Sequence, residues 1–269
     1  MKTITNSRIG YNGRLGNQLF QFASLYGISR KCEKIVAIPF DNTNSVNEIL
    51  CDGSNISAKF SAPDIFKKIN KFLHKIESFN GKYKHISEPG FTFSQSVIDE
   101  SREDCNIDLN GYFQSPLYFY EYRKEILDLL AFKDSPKEKR DKPTVSIHVR
   151  RKDYLALSLN HPVCSMSYYA AAIDQFYGCD FIVFSDDIEW CKSVFPKEFI
   201  FSQNYTEEDD LRLMSECDHN IIANSTFSWW GAYLNQNKDR RIIAPKNWFG
   251  SNYSHYDTSE ITSIATQLL

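Results

Sequence analysis

The sequence predicts an α/β protein built from two parallel-sheet halves, and three observations carry that reading. Short apolar runs alternate with stretches of helical apolar spacing, a charged proline-containing stretch divides the 269 residues nearly in half, and polar clusters follow the apolar runs. Strands alternating with helices argue for βαβ units, whose ligands sit outside the carboxyl ends of the strands. At about 150 residues per domain, the length suits two modest domains. Apolar residues at 42% and charged residues at 24% exclude collagen-like, disordered and coiled-coil chains. A net charge of -3 gives no electrostatic support for a nucleic-acid partner, so a small or neutral one is expected. Aromatic residues reach 14%, and flat rings are surfaces on which sugars and bases stack.

In chain order, Gly13-Arg14-Leu15-Gly16-Asn17-Gln18 opens a helix with Leu15, Leu19, Phe22, Ala23 and Tyr26 on one face, and residues 35–38 form a buried strand. Residues 63–76 set Ile65, Phe66, Ile69, Phe72, Leu73 and Ile76 against Lys67, Lys68, Lys71 and Lys75. That helix either lies on an anionic membrane surface or is a surface helix with a solvated basic face, and the second is the general case. Residues 111–119 form an aromatic, amide-rich loop suited to a sugar. Residues 133–143 hold eight charges and two prolines in eleven positions and read as a linker. In the second half, strands are predicted at residues 144–149, 180–184, 219–223 and 241–244, with helices over 167–177, 189–194, 209–217 and 228–235.

Seven cysteines at irregular spacing, with no CxxC pair, read as neither a disulfide framework nor a zinc site. The first residues lack the apolar region of a signal peptide and no run approaches the ~18 apolar residues of a membrane span. A reduced, cytoplasmic protein is expected, with peripheral attachment at the inner membrane through the four lysines as the alternative.

Four clusters can carry chemistry. The glycine-rich turn at Gly13 and Gly16 can present helix N–H groups to an anion such as a diphosphate, or merely start a helix; its spacing is not that of a nicotinamide-binding fold. His148 and Arg150 leave a strand on the same face, and Arg150 with Arg151 offers the fixed donor fork that suits phosphate oxygens; the plainer reading pairs them with Asp153. Asp186 and Asp187 suit either Mg²⁺ or Mn²⁺, or a ribose hydroxyl and a helix start, and the second is preferred because the arginines already supply positive charge. Asn224-Ser225-Thr226-Phe227-Ser228-Trp229-Trp230 opens another helix, where hydroxyl and N–H groups can cradle an anion and the rings can wall a site or pack inward.

Taken together and in this order, the segments GRLGNQLFQFA (13–23), GYFQSPLYF (111–119), HVRRKDY (148–154), FSDD (184–187), DLRLMSECDHNIIANSTFSWWGAYL (210–234) and IIAPKNWF (242–249) resemble the α-1,2-fucosyltransferases of glycosyltransferase family 11 over essentially the whole chain. Arg14 stands where that family usually has a second glycine, a form similar to that of protein O-fucosyltransferases. The resemblance implies a GT-B fold, with two Rossmann-like domains facing across a cleft. Residues 1–135 would be the acceptor side and 143–269 the GDP-sugar-binding side, with the last helix packing back on the first domain. It implies inverting, metal-free transfer of L-fucose from GDP-β-L-fucose to the 2-hydroxyl of a galactose-terminated glycan, in glycan, O-antigen or polysaccharide synthesis, with no cofactor. By the same carry-over Arg150 is the main phosphate partner and Arg151 its support. Ser225, Thr226 and Ser228 bind phosphates, and His148, Asp153 and Asp186 hold the nucleoside or fucose. Asn17 and Gln18 approach the reacting sugar and Arg14 adds charge, while Gly16, Ser185, Asn224 and Phe227 complete the donor contacts. Arg150, Asn17, Asp153 and His148 are the implied catalytic set; Asp153 is one candidate base, and proton loss to water is the other route. A different GDP-6-deoxy-hexose such as colitose, or sugar-nucleotide binding without transfer, are the alternative functions.

Overall fold

A computed structural model describes residues 2–9, 12–37, 83–132, 140–203 and 205–269. The lysine-bearing segment 63–76, Cys51, Ile38 and most of the charged stretch 133–143 lie outside the described residues. The chain forms two compact units, Met1–Ser135 and Pro136–Leu269. No helix among the described residues is long and apolar enough to cross a membrane.

The first unit holds a parallel sheet of β1 (Thr3–Thr5), β2 (Ile35–Ala37), β3 (Tyr83–Ser87) and β4 (Asn106–Asn110) in the order β2-β1-β4-β3. Helix α1 (Leu15–Lys31) is buried along most of its length, and its Gly27 lies so close to the chain at Tyr118 that a Cβ there would come within 2.2 Å of the Tyr118 carbonyl oxygen. Helix α2 (Gln95–Ser101) is tied to β3 by Lys84, whose Nζ lies 3.0 Å from Glu100 and 2.8 Å from Glu103. Helix α3 (Arg123–Leu129) buries Ile126, Leu127 and Leu129. One row across the sheet carries polar side chains in register: Thr5, Asp108 and His85 lie side by side on β1, β4 and β3, and Asp108 accepts from the Ser7 N–H at 2.8 Å and its hydroxyl at 2.7 Å.

The second unit holds β5 (Thr144–Val149), β6 (Asp180–Ser185), β7 (Ile200–Phe201), β8 (His219–Ile221), β9 (Ile242–Ala244) and β10 (Gln267–Leu268). Every pairing is parallel and the order is β10-β9-β8-β5-β6-β7. Connections therefore run one way from β5 through β6 to β7 and the other way from β8 outward, and the seam between β5 and β8 is the crevice where doubly wound sheets place ligands. The intervening helices are α4 (Lys152–Ala156), α5 (Met166–Ile173), α6 (Ile188–Val194), α7 (Glu207–Glu216), α8 (Thr226–Leu234) and α9 (Ser259–Thr262).

β5 is buried on both faces. Val145, Ile147 and Val149 pack with Tyr169, Ala172, Phe176, Cys191 and Phe195. Toward the opposite face, Asn220 donates to the Ser146 hydroxyl at 2.7 Å and the Met214 carbonyl at 2.9 Å, while Asn235 donates to the Asn220 side-chain oxygen and the Cys217 carbonyl, both at 2.8 Å. Paired in this way, buried amides carry little desolvation cost. Gly231 of α8 faces Met214 of α7 so closely that a Cβ would stand 2.9 Å from the Met214 Cβ. Trp229 and Trp230, which the sequence leaves open as site walls, are fully buried and pack inward; the Trp229 ring stacks on Tyr233 and its Nε1 donates to the Ile261 carbonyl at 2.7 Å, anchoring α9 in this unit.

Candidate functional site

The second unit's site grows out of strand register. Val149 pairs with Ser185, so the residues that follow, Arg150 and Asp186, emerge side by side at the carboxyl ends of β5 and β6. Arg150 is clamped there: Nη2 lies 2.7 Å from Asp153 Oδ1 and Nη1 lies 3.0 Å from Asp186 Oδ2, with only 12% of its side chain exposed. Asp186 also accepts from the backbone N–H groups of Arg151 at 2.9 Å and Lys152 at 3.2 Å, satisfying donors that the start of α4 leaves open. Arg151 Nη1 meets Asp187 Oδ2 at 2.5 Å, and its guanidinium sits 4.5 Å from the Trp190 ring centroid, a cation–π distance.

Two guanidinium groups thus face three carboxylates. An anion is not drawn here by excess positive charge; it would be bound by N–H donors already fixed in direction. Each guanidinium carries five such donors, and the named carboxylate contacts of Arg150 engage two nitrogens, Nη1 and Nη2. The plain pairing of Arg150 with Asp153 and the phosphate-binding geometry are therefore compatible.

His148 ends up neutral. Complete burial pushes its pKa down to about 3, and its Nδ1 is buried without a partner among the described residues. It can serve as a hydrogen-bonding group, 5.5 Å from the Phe227 ring, and not as a cation. Ser185 turns inward to accept from the Asp187 N–H at 2.9 Å.

Across the seam, Ser225 is the extended residue before α8 and its side chain makes no capping bond, so its hydroxyl is uncommitted to the helix start, where Thr226 follows. Ser228 is more deeply placed, its hydroxyl donating to the Ser225 carbonyl at 3.2 Å. The Asn224 side chain donates to the carbonyls of Pro162 and Trp248, both at 3.0 Å, and the Asn224 backbone carbonyl accepts from the Tyr154 hydroxyl at 3.0 Å. It fastens three loops together at the rim of the seam. Among the described residues no group of three or more His, Cys, Asp or Glu side chains is arranged to hold a metal ion.

The first unit gathers the other motif residues. Gly13 adopts φ +80°, and a Cβ there would stand 2.3 Å from Asn17 Nδ2, so the turn before α1 needs glycine on both counts. Arg14 is exposed, Gly16 is buried, and Gln18 folds back to donate to the Gly13 carbonyl at 3.1 Å. Asn17 Oδ1 accepts from Gln114 Nε2 at 3.1 Å, joining α1 to the aromatic loop after β4. Of that loop's rings, Phe113, Tyr118 and Phe119 are core, while Tyr112 is 37% exposed.

One residue of this neighbourhood escaped the sequence reading. Glu88, just past β3, accepts from the backbone N–H groups of Tyr112 and Phe113, each at 2.8 Å. Burial pushes its carboxyl up to about 7 against the opposing pull of the Phe113, Tyr112 and Gln114 N–H groups. In Ser87-Glu88-Pro89-Gly90 it reads as an ordinary turn residue, and only the strand pairing of β3 with β4 brings it to the loop.

Compared with known proteins, the chain matches Glycosyl transferase family 11 over residues 2–263. It belongs to glycosyltransferase family 11. Each of its two units carries the parallel α/β sheet that the sequence predicts. Among family 11 relatives, the chain is 32% identical over 266 residues to an Escherichia coli alpha-1,2-colitosyltransferase, covering 88% of this chain and 90% of that one. It is 29% identical over 288 residues to the Escherichia coli O-antigen biosynthesis glycosyltransferase WbnK, covering 90% and 94%. It is 27% identical over 249 residues to galactoside alpha-(1,2)-fucosyltransferase 2 of Rattus norvegicus, covering 82% of this chain and 65% of the rat protein. Family 11 membership makes this protein a glycosyltransferase.

Proposed function

We propose that this glycosyltransferase moves L-fucose from GDP-β-L-fucose to the 2-hydroxyl of a terminal β-galactoside, with inversion, in the assembly of an O-antigen or a related cytoplasmically made glycan. The observation that carries the reading is the clamped Arg150 at the β5–β8 seam, within a family whose members are named for 2-linked transfer and O-antigen synthesis. Inversion is a direct displacement. The acceptor 2-oxygen attacks the anomeric carbon from the face opposite GDP, the carbon–oxygen bond to the β-phosphate breaks with its electron pair, and the sugar passes through an oxocarbenium-like state. Negative charge grows on the departing diphosphate, so donors fixed around it stabilise the transition state more than the ground state. Arg150 and Arg151 would supply those donors, with Ser225 and Thr226 from the opposite side of the seam. His148 would touch the donor as a neutral group. Asp153, one oxygen already ion-paired with Arg150, would act as the partner that orients the guanidinium, and the acceptor proton would pass to water.

A second donor is favoured by a specific observation, the 32% identity to a colitosyltransferase. Fucose and colitose differ at the sugar's 3-position, so presenting GDP-fucose and GDP-colitose together at equal concentration with lactose tests the donor. Fucosylated product in excess is expected; colitosyl product in excess transfers the reading to the second donor, and no GDP release above hydrolysis with any galactoside sinks both.

With arginines bearing the phosphate charge, transfer needs no metal. EDTA is expected to leave the initial rate within about twofold of the untreated enzyme. Strong inhibition that Mn²⁺ restores would return Asp186 and Asp187 to the role of metal ligands.

A further inference from the structure

Glu88 lies outside every donor-side motif, yet its bonds are unlike those of a surface carboxylate. Oε2 accepts two backbone N–H groups of one loop, and Oε1 is buried without a partner among the described residues. The loop it holds is strained. Phe113 sits at φ +51°, in the left-handed region that a bulky side chain seldom adopts, and Gly111 approaches so closely that a Cβ would stand 2.5 Å from the Glu88 Cβ. Backbone of this kind persists only where its surroundings over-determine it, and it clusters at sites that bind or react. Two contacts do so here: Glu88 on the N–H side, and the Ser24 hydroxyl, which donates to the Phe113 carbonyl at 2.9 Å. The strained turn sets Gln114 3.1 Å from Asn17 and leaves Tyr112 exposed at the carboxyl end of the sheet.

We propose that Glu88 is a positioning residue for the acceptor sugar, holding the Gly111-to-Gln114 turn so that the exposed Tyr112 meets the sugar while the buried Gln114 orients Asn17 beside it. The proposal rests on the reading of the first unit as the acceptor side. The clamp needs an oxygen at this place and not a charge, because a carboxylate oxygen, a carboxyl carbonyl and an amide carbonyl all accept the same two N–H groups. Glu88→Gln therefore keeps it and Glu88→Ala removes it. Gly111→Ala should disturb it from the loop side.

The test combines steady-state kinetics, varying lactose and the GDP-sugar separately, with amide hydrogen exchange at Tyr112 and Phe113. Glu88→Ala is expected to raise the acceptor KM about tenfold or more while the donor KM stays within about twofold, with faster exchange at both amides. Gly111→Ala should follow it, and Glu88→Gln should stay near the parent. A role confined to stability would move both KM values together or neither. The proposal is overturned by an unchanged acceptor KM in Glu88→Ala, by a matching rise in donor KM, or by a folded Glu88→Gln that behaves like the alanine variant. A parent enzyme that transfers nothing to any galactoside fails the functional reading instead; exchange then decides the clamp alone, faster amides in Glu88→Ala supporting it and unchanged amides overturning it.

Discussion

Arg150→Lys is expected to fold like the parent and to lose about 10²–10³ in kcat/KM for the GDP-sugar, the cost typical of removing one fixed transition-state donor. Lysine keeps the positive charge but not the planar fork. It can satisfy Asp153 or Asp186, which arginine engages at 2.7 and 3.0 Å through different nitrogens, yet it cannot hold both and still aim a donor at phosphate. Arg150→Ala is a less clean probe. It leaves Asp186, with 17% of its side chain exposed, facing Asp153 with no counter-charge, and removing one partner of such a group destabilises the fold as well as the reaction. The measurement is initial-rate kinetics at saturating acceptor, with a thermal melt to confirm folding. Activity within about tenfold of the parent in the lysine variant removes Arg150 from the phosphate.

Asn224→Ala is expected to be the most damaging of the small side-chain truncations in the second unit. The Asn224 amide nitrogen donates to two carbonyls, those of Pro162 and Trp248, from a side chain that is nearly fully buried. Leaving buried acceptors unpaired costs about 1–3 kcal/mol each, so a loss of ~2–6 kcal/mol and a melting temperature lower by roughly 10 °C are expected. The loops it ties are those that follow β5, β8 and β9, so GDP affinity should fall with it, read by calorimetry below the new melting point. A melting temperature within about 2 °C of the parent shows that the three loops hold one another without the amide.

Much of the second unit is legible in its sequence. The buried runs at 144–149 and 180–184 become β5 and β6 because apolar residues fill both faces of interior parallel strands. β7 and β10 were not expected: each is a two-residue pairing at an edge of the sheet, too short to leave a pattern. The run at 219–223 outlasts its strand, since Ile222 and Ala223 remain buried after the ladder ends at Ile221. Residues 167–177 carry helical spacing to Phe176, but the helix stops at Ile173 and Phe176 enters the core from a turn. In the first unit β1 is only three residues long and leaves little pattern, whereas the alternating Asn-Ile-Asp-Leu-Asn of β4 does carry the period-2 signature of a half-buried strand and escaped the sequence reading. The motif residues of the site were identifiable by type, whereas the pairing of Arg150 with Asp186 and of Glu88 with the Tyr112 loop depends on which strands lie adjacent, and composition carries no record of that.

The Ser146–Asn220–Asn235 amide chain has a consequence for how the seam is assembled. β5 and β8 are joined by no short connection: Ser146 and Asn220 lie 74 residues apart. Two greasy strands brought together from such a distance could slide past one another by a residue pair at small cost, since Val, Ile and Leu are interchangeable as packing partners. The amides remove that freedom, because any slide would orphan several buried donors and acceptors at once. They act as a vernier between two independently wound halves of the sheet, so that the spacing between the arginine end of one strand and the serine-bearing helix start of the other is set by the fold itself.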